Sequence, residues 1–146
     1  MNEPILTHKG VVYPWQCDHN GHMNVMFYVG KFNEAASSLL LEGGITPSYL
    51  RDNSRATAAV QQNITYKREL RAGDVLTVRS HILEVRDKVF RFQQEMMNAE
   101  TSEVAALIEV TAVHIDSSTR KACAFPPAIR ERLQKLILHP PTSHQS

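Results

Sequence analysis

The stretch Trp15–Val29, WQCDHNGHMNVMFYV, gathers an acid, two histidines, two asparagines and a glycine ahead of an apolar run. A carboxylate at Asp18 can attack a carbonyl carbon directly or draw a proton from water. An imidazole at His22 can move a proton, or hydrogen-bond across the loop and hold its shape. Asn20-Gly21 is a turn signal, because both residue types tolerate positive φ. Asn24, just ahead of the apolar run, suits the N-cap of a helix. The first turn of that helix offers unpaired N–H groups and the positive end of its dipole, so amides near Asn24–Met26 could polarise a carbonyl. A plainer reading uses the same residues. Asp18 before Asn20-Gly21 also spells an Asx turn, Asn24 serves as a cap alone, and Tyr28 is as much core as pocket lining.

Other chemistries find less support. His19, His22 and His114 raise a metal site, yet His19-x-x-His22 sits in a turn with no Cys or acid at a recognised ligand spacing, so no metal is expected. Cys17 stands beside Asp18, whose charge disfavours a thiolate, and is rejected as a nucleophile. The chain has no G-x-S-x-G elbow and no G-x-x-x-x-G-K phosphate loop. No cofactor is implied.

Elements on either side must position this loop. Gly10–Trp15 reads as a short strand, limited by Pro14 to a strand end or edge. From Val25 the period changes: Val25, Tyr28/Val29, Phe32, Ala35/Ala36, Leu39 and Leu40 recur as one face of a helix, capped by Asn24 and stopped at Gly43-Gly44. That helix is apolar over much of its surface and is expected to be deeply buried. Thr46-Pro47 opens a short helical turn through Leu50. Strands follow at about Thr57–Glu69, Val75–Val85, Val89–Asn98 and Val104–Asp116, joined by short breaks that favour antiparallel neighbours. Leu76, Val78, Ser80 and Ile82 share one face, as do Val104, Ala106, Ile108, Val110 and Ala112; a slip near Ile82-Leu83 predicts a bulge. Pro126-Pro127 opens a final amphipathic helix through Ile137, and HPPTSHQS (residues 139–146) reads as a disordered tail after a single domain over residues 1–138. A long apolar helix against one antiparallel sheet is an α+β arrangement, and its uncovered edges predict self-association.

This order, together with CDHNGHMNVMFYVGKF, resembles the hotdog-fold acyl-CoA thioesterases of the 4-hydroxybenzoyl-CoA thioesterase type. In that family a strand enters a loop D-x-D-x-x-G-H-x-N-x-x-x-Y and then the central helix; Asp18, Gly21, His22, Asn24 and Tyr28 match it in order and spacing. A Tyr ahead of a Gly-Asp turn matches YKRELRAGD, Tyr66–Asp74. Gln16 replaces the first acid of the pair. The resemblance implies a curved antiparallel sheet wrapped around the helix, and hydrolysis of an acyl-CoA to free acid and CoA. It assigns Asp18 as nucleophile or general base, with His22 and Asn24 beside it. Trp15, Asn20, Gly21, Val25, Met26, Tyr28 and Arg68 are the expected substrate contacts. It further implies a homodimer or homotetramer with the site at the dimer interface.

The acyl group is open: small, aromatic or quaternary-ammonium. Tyr13, Trp15, Phe27 and Tyr28 could bind an aromatic group or a cation by cation–π attraction, or simply pack the helix. The wording GHMNVMFYV looks like that of thioesterases that release betaine from betainyl-CoA. Lys67, Arg68, Arg71, Arg120 and Lys121 are candidates for the CoA phosphates, and a solvated face explains them equally. Two other functions compete: a hotdog hydratase pairing His22 with Glu34, and a non-catalytic acyl-CoA-binding dimer.

Bulk composition narrows the classes. The 146 residues are 42% hydrophobic and 21% charged with net charge +1, which gives no electrostatic case for nucleic acid or a membrane surface. No apolar run approaches the roughly 20 residues that cross a bilayer. Two cysteines make no disulfide framework, and a cytoplasmic protein is expected.

Overall fold

The computed structural model describes residues 1–139. The expected tail therefore lies outside the described residues, except for His139, whose N–H donates to the Met1 carbonyl at 2.8 Å. The chain forms β1 (Ile5–Val11), a 3₁₀ turn (Pro14–Gln16), α1 (Val25–Glu42), α2 (Pro47–Asp52), β2 (Arg55–Tyr66), β3 (Val75–Val85), β4 (Val89–Asn98), β5 (Val104–Asp116), β6 (Lys121–Ala122) and α3 (Pro127–Lys135). The main strands lie in the order β1-β3-β4-β5-β2, all pairings antiparallel, with β6 against β5. This is the hotdog architecture: one curled sheet around one long helix.

Alternation explains the sheet's inner face. Leu76, Val78, Ser80 and Ile82 of β3 are all fully buried, as are Met96 of β4 and Ala106 of β5. Phe32, Ala35 and Leu39 of α1 pack against them in one core. The β3–β4 register shifts between Ile82 and Glu84, the bulge that the sequence predicts. Two polar side chains in that face are satisfied locally: Ser80 Oγ lies 2.8 Å from Thr7 Oγ1 and accepts from Gln94 Nε2 at 3.1 Å.

Four expectations need correction. The first strand is Ile5–Val11, not Gly10–Trp15, because Pro14 starts a 3₁₀ turn while Thr7 finds buried partners on β3. β2 ends at Tyr66, since the Lys67 and Arg68 amides both donate to the Ala105 carbonyl and break the ladder. The helix is buried on one face only: Val25, Met26 and Leu41 stay exposed, while Lys31 is buried. The last helix stops at Lys135, and Ile137 instead bridges to Ile82 of β3.

At the sheet's outer limit β2 contains no Asp, Glu, Lys, Arg or His from Ala56 to Tyr66, and Ala59–Asn63 are exposed. No helix of the described residues is long and apolar enough to cross a membrane.

Candidate active site

The loop before α1 is closed on itself. Cys17 bridges to Met23, the Asp18 N–H donates to the His22 carbonyl at 3.0 Å, and the Gly21 N–H donates back to the Asp18 carbonyl at 3.0 Å. Gly21 adopts φ +82°, a conformation that favours glycine. Two further bonds fix the loop to the body: Met23 N–H to the Leu70 carbonyl at 2.7 Å, and Asn24 N–H to the Gln16 carbonyl at 2.8 Å. Gln16, which stands where the resemblance expects an acid, accepts the Tyr13 N–H through Oε1 at 2.9 Å. Its side chain closes the 3₁₀ turn.

Asp18 closes a turn and still presents its carboxylate. Its Oδ1 accepts the Asn20 N–H at 2.9 Å, the Asx turn of the plainer reading, and its Oδ2 lies 3.5 Å from Asn24 Nδ2. Each carboxylate oxygen keeps a further lone pair, and the side chain is half-buried. Asn24 is the N-cap of α1, with Oδ1 accepting the Met26 N–H at 3.0 Å. The Phe27 N–H goes to the Asn24 carbonyl. Of the amides near Asn24–Met26, those of Asn24 and Met26 are therefore engaged. The Val25 N–H has no partner among the described residues, and it opens the positive end of an 18-residue helix.

These groups face one cavity of about 630 Å³. Asp18, His22, Asn24, Val25, Tyr28 and Arg68 of the expected set line it, joined by Tyr66, Lys67 and Glu69 from the end of β2 and the turn after it. Trp15, Asn20, Gly21 and Met26 lie outside this lining. Trp15 is 68% exposed and stacks flat on Tyr13 with ring centroids 4.3 Å apart. Tyr28 meets Tyr66 edge-on at 5.2 Å and donates its hydroxyl to the Arg68 carbonyl at 3.2 Å. Burial pushes the Tyr28 hydroxyl above the ordinary tyrosine range, so it remains a donor at neutral pH.

His22 Nε2 lies 3.0 Å from Glu69 Oε2. Glu69 is the residue that the sequence reading passed over. It stands within YKRELRAGD, a stretch already singled out for Tyr66, but nothing local says that it reaches His22. Glu34 does not take that place: it lies 3.4 Å from His8 Nδ1, on the side of α1 facing β1. His114 is remote from His19 and His22 in role as well. It is fully buried, with Nε2 2.9 Å from Tyr49 Oη and Nδ1 2.9 Å from the Cys123 carbonyl. Among the described residues no three His, Cys, Asp or Glu side chains are grouped to hold a metal. Of the CoA-phosphate candidates, Lys67 and Arg68 reach the cavity; Arg71, Arg120 and Lys121 do not line it.

A family model for the thioesterase-like superfamily matches residues 12–133, which spans the loop, the central helix and every strand of the sheet except β1. The chain belongs to this superfamily. Among curated relatives, the L-carnitine dehydrogenase/betainyl-CoA thioesterase of Agrobacterium fabrum is 30% identical over 91% of this chain, and the chain spans only 27% of that protein's length. The long-chain acyl-CoA thioesterase FadM of Escherichia coli is 28% identical over 80% of this chain and 87% of its own. Among solved structures, a Staphylococcus aureus protein in complex with CoA superposes with a TM-score of 0.87 at 24% identity, over 97% of this chain and 89% of that one. The superfamily's architecture is thus the one observed.

Proposed function

We propose that this chain hydrolyses acyl-CoA thioesters, with Asp18 as nucleophile or as the base that activates water. One observation carries the reading: the Asp18 carboxylate and the unpartnered Val25 N–H line the same cavity at the start of α1. A thioester carbonyl placed between them has an attacking group on one side and an oxyanion donor on the other, the pairing that acyl transfer needs. Relatives named as acyl-CoA thioesterases support it. Asn24 orients Asp18 and caps the helix that supplies the donor. His22, held by Glu69, shapes the loop, and Lys67 and Arg68 at the rim suit the CoA phosphates.

The site is exposed on one side, and the uncharged β2 edge is open to antiparallel pairing with a second copy. That supports a homodimer with the cavity near the junction. The hydratase reading loses its pair, because His22 faces Glu69 and Glu34 faces His8.

The test is free-thiol release from a panel of acyl-CoAs by wild type and Asp18→Asn. The expected result is turnover by wild type and a fall of about 10²–10⁴-fold in the folded variant. CoA binding with no thiol release from any substrate would leave a non-catalytic binding protein in its place.

A further inference from the structure

We propose that the acyl group of the natural substrate is a straight, uncharged chain long enough to run from the Asp18 cavity along α1 into a second cavity. This rests on the thioesterase reading and names the substrate class of that site. The second cavity, about 140 Å³, lies between α1, the start of β2, and the inner faces of β4 and β5. Phe32, Ala36 and Leu40 form its helical wall, and Phe92, Ile108 and Val110 form its sheet wall.

Two features join it to the active site. Tyr28 lines the first cavity, and Phe32, Ala36 and Leu40 follow at four-residue steps, so one stripe of α1 faces both. Strand β2 supplies the opposite side of both, with Tyr66 at the first cavity and Gln62 and Ala59 at the second. The two spaces therefore lie in series between the same two elements.

Length and chemistry select the occupant. Phe32 stands eight residues beyond Asn24, about 12 Å along the helix axis at ~1.5 Å per residue. An acetyl group, or a trimethylammonio-acetyl group, ends well short of that. The lining of the second cavity includes no Asp, Glu, Lys, Arg or His, so it offers nothing to neutralise a charged tail. Gln94, its most buried polar side chain, is already bonded to Ser80. A hydrocarbon tail fits these walls; a cation or carboxylate does not.

The experiment measures kcat/KM for acetyl-, butyryl-, hexanoyl-, octanoyl-, decanoyl-, dodecanoyl- and betainyl-CoA, together with the affinity for each by calorimetry on Asp18→Asn. Wild type is expected to gain up to about fourfold per methylene once the chain reaches Phe32, the factor equivalent to ~0.8 kcal/mol per buried methylene. Ala36→Leu should cost at least about tenfold on dodecanoyl-CoA and leave butyryl-CoA nearly unchanged, since it fills only the second cavity. Ala59→Leu intrudes from the other wall at an exposed strand position, so it tests the same point should Ala36→Leu fold poorly. Equal or better hydrolysis of acetyl- or betainyl-CoA than of dodecanoyl-CoA would overturn the proposal, as would folded wall variants with an unaltered length profile. Chain-length-dependent binding without thiol release would sink the hydrolase reading and leave the cavity assignment standing.

Discussion

Asn24 joins the start of the central helix to Asp18 through the two ends of one amide: Oδ1 accepts the Met26 N–H at 3.0 Å, while Nδ2 lies 3.5 Å from Asp18 Oδ2. Cap and carboxylate are thus set by the same side chain. Asn24→Asp keeps an oxygen for the cap but removes the donor and puts a second carboxylate beside Asp18. It should retain most of the stability while losing activity. Asn24→Ala should lose both, with about 1 kcal/mol of stability lost with the cap. Denaturant titration beside thiol-release assays separates the two effects; equal activity in Asn24→Asp and wild type would show that Asp18 needs no such partner.

The pair His22–Glu69 is half open to solvent, with Glu69 62% exposed. Exposed pairs of this kind contribute little, so Glu69→Gln should lower kcat/KM by no more than about threefold, ~0.6 kcal/mol. A loss as large as that of Asp18→Asn would mean that the pair moves a proton in the reaction, and a shifted pH profile would show it.

Burial holds the His8 and His81 imidazoles below the ordinary histidine value; for His8 the Glu34 carboxylate opposes that shift and the Lys31 ammonium adds to it. The folded state then resists a proton that the unfolded chain accepts. Stability should therefore fall as the pH drops below about 6.5, the unfolded histidine value, and continue falling until the depressed folded values are reached. His8→Gln should flatten that slope when denaturation midpoints are compared across the acid range. An unchanged slope would place the effect elsewhere.

Two glycines of the helical region should answer alanine in opposite directions. A Cβ at Gly43 would collide with Leu133 Cδ2, and Leu133 is a fully buried residue of α3. Gly43→Ala should cost about 1–3 kcal/mol as α3 is pushed off. Gly30 lies in the interior of α1 with nothing within 4 Å of a Cβ, so Gly30→Ala should stabilise by up to about 1 kcal/mol. Thermal melts of both variants suffice.

What could be read from the chain depended on range. The limits of β3, β4 and β5 follow from local alternation, and the start of α1 from Asn24 as cap. β1 escaped because Thr7, His8 and Lys9 dilute its pattern, and only pairing with β3 makes it a strand. Within the site, Asp18, Asn24 and Val25 are neighbours along the chain and could be grouped by spacing. Glu69 could not, since it meets His22 only after β2 returns to the helix start. The burial of Lys31 was likewise hidden, because a lysine among alternating polar and apolar helix positions reads as surface.

Strand β2 has one more consequence, for handling rather than catalysis. From Ala56 to Tyr66 it contains no lysine, no proline and no glycine, so nothing along it obstructs the addition of further strands. In the proposed dimer a twofold match through β2 would use up this rim in one step. Chains that have not paired leave the rim open to the edge strands of other molecules. Charging the rim, for example with Gln61→Lys, trades the capacity to assemble for solubility.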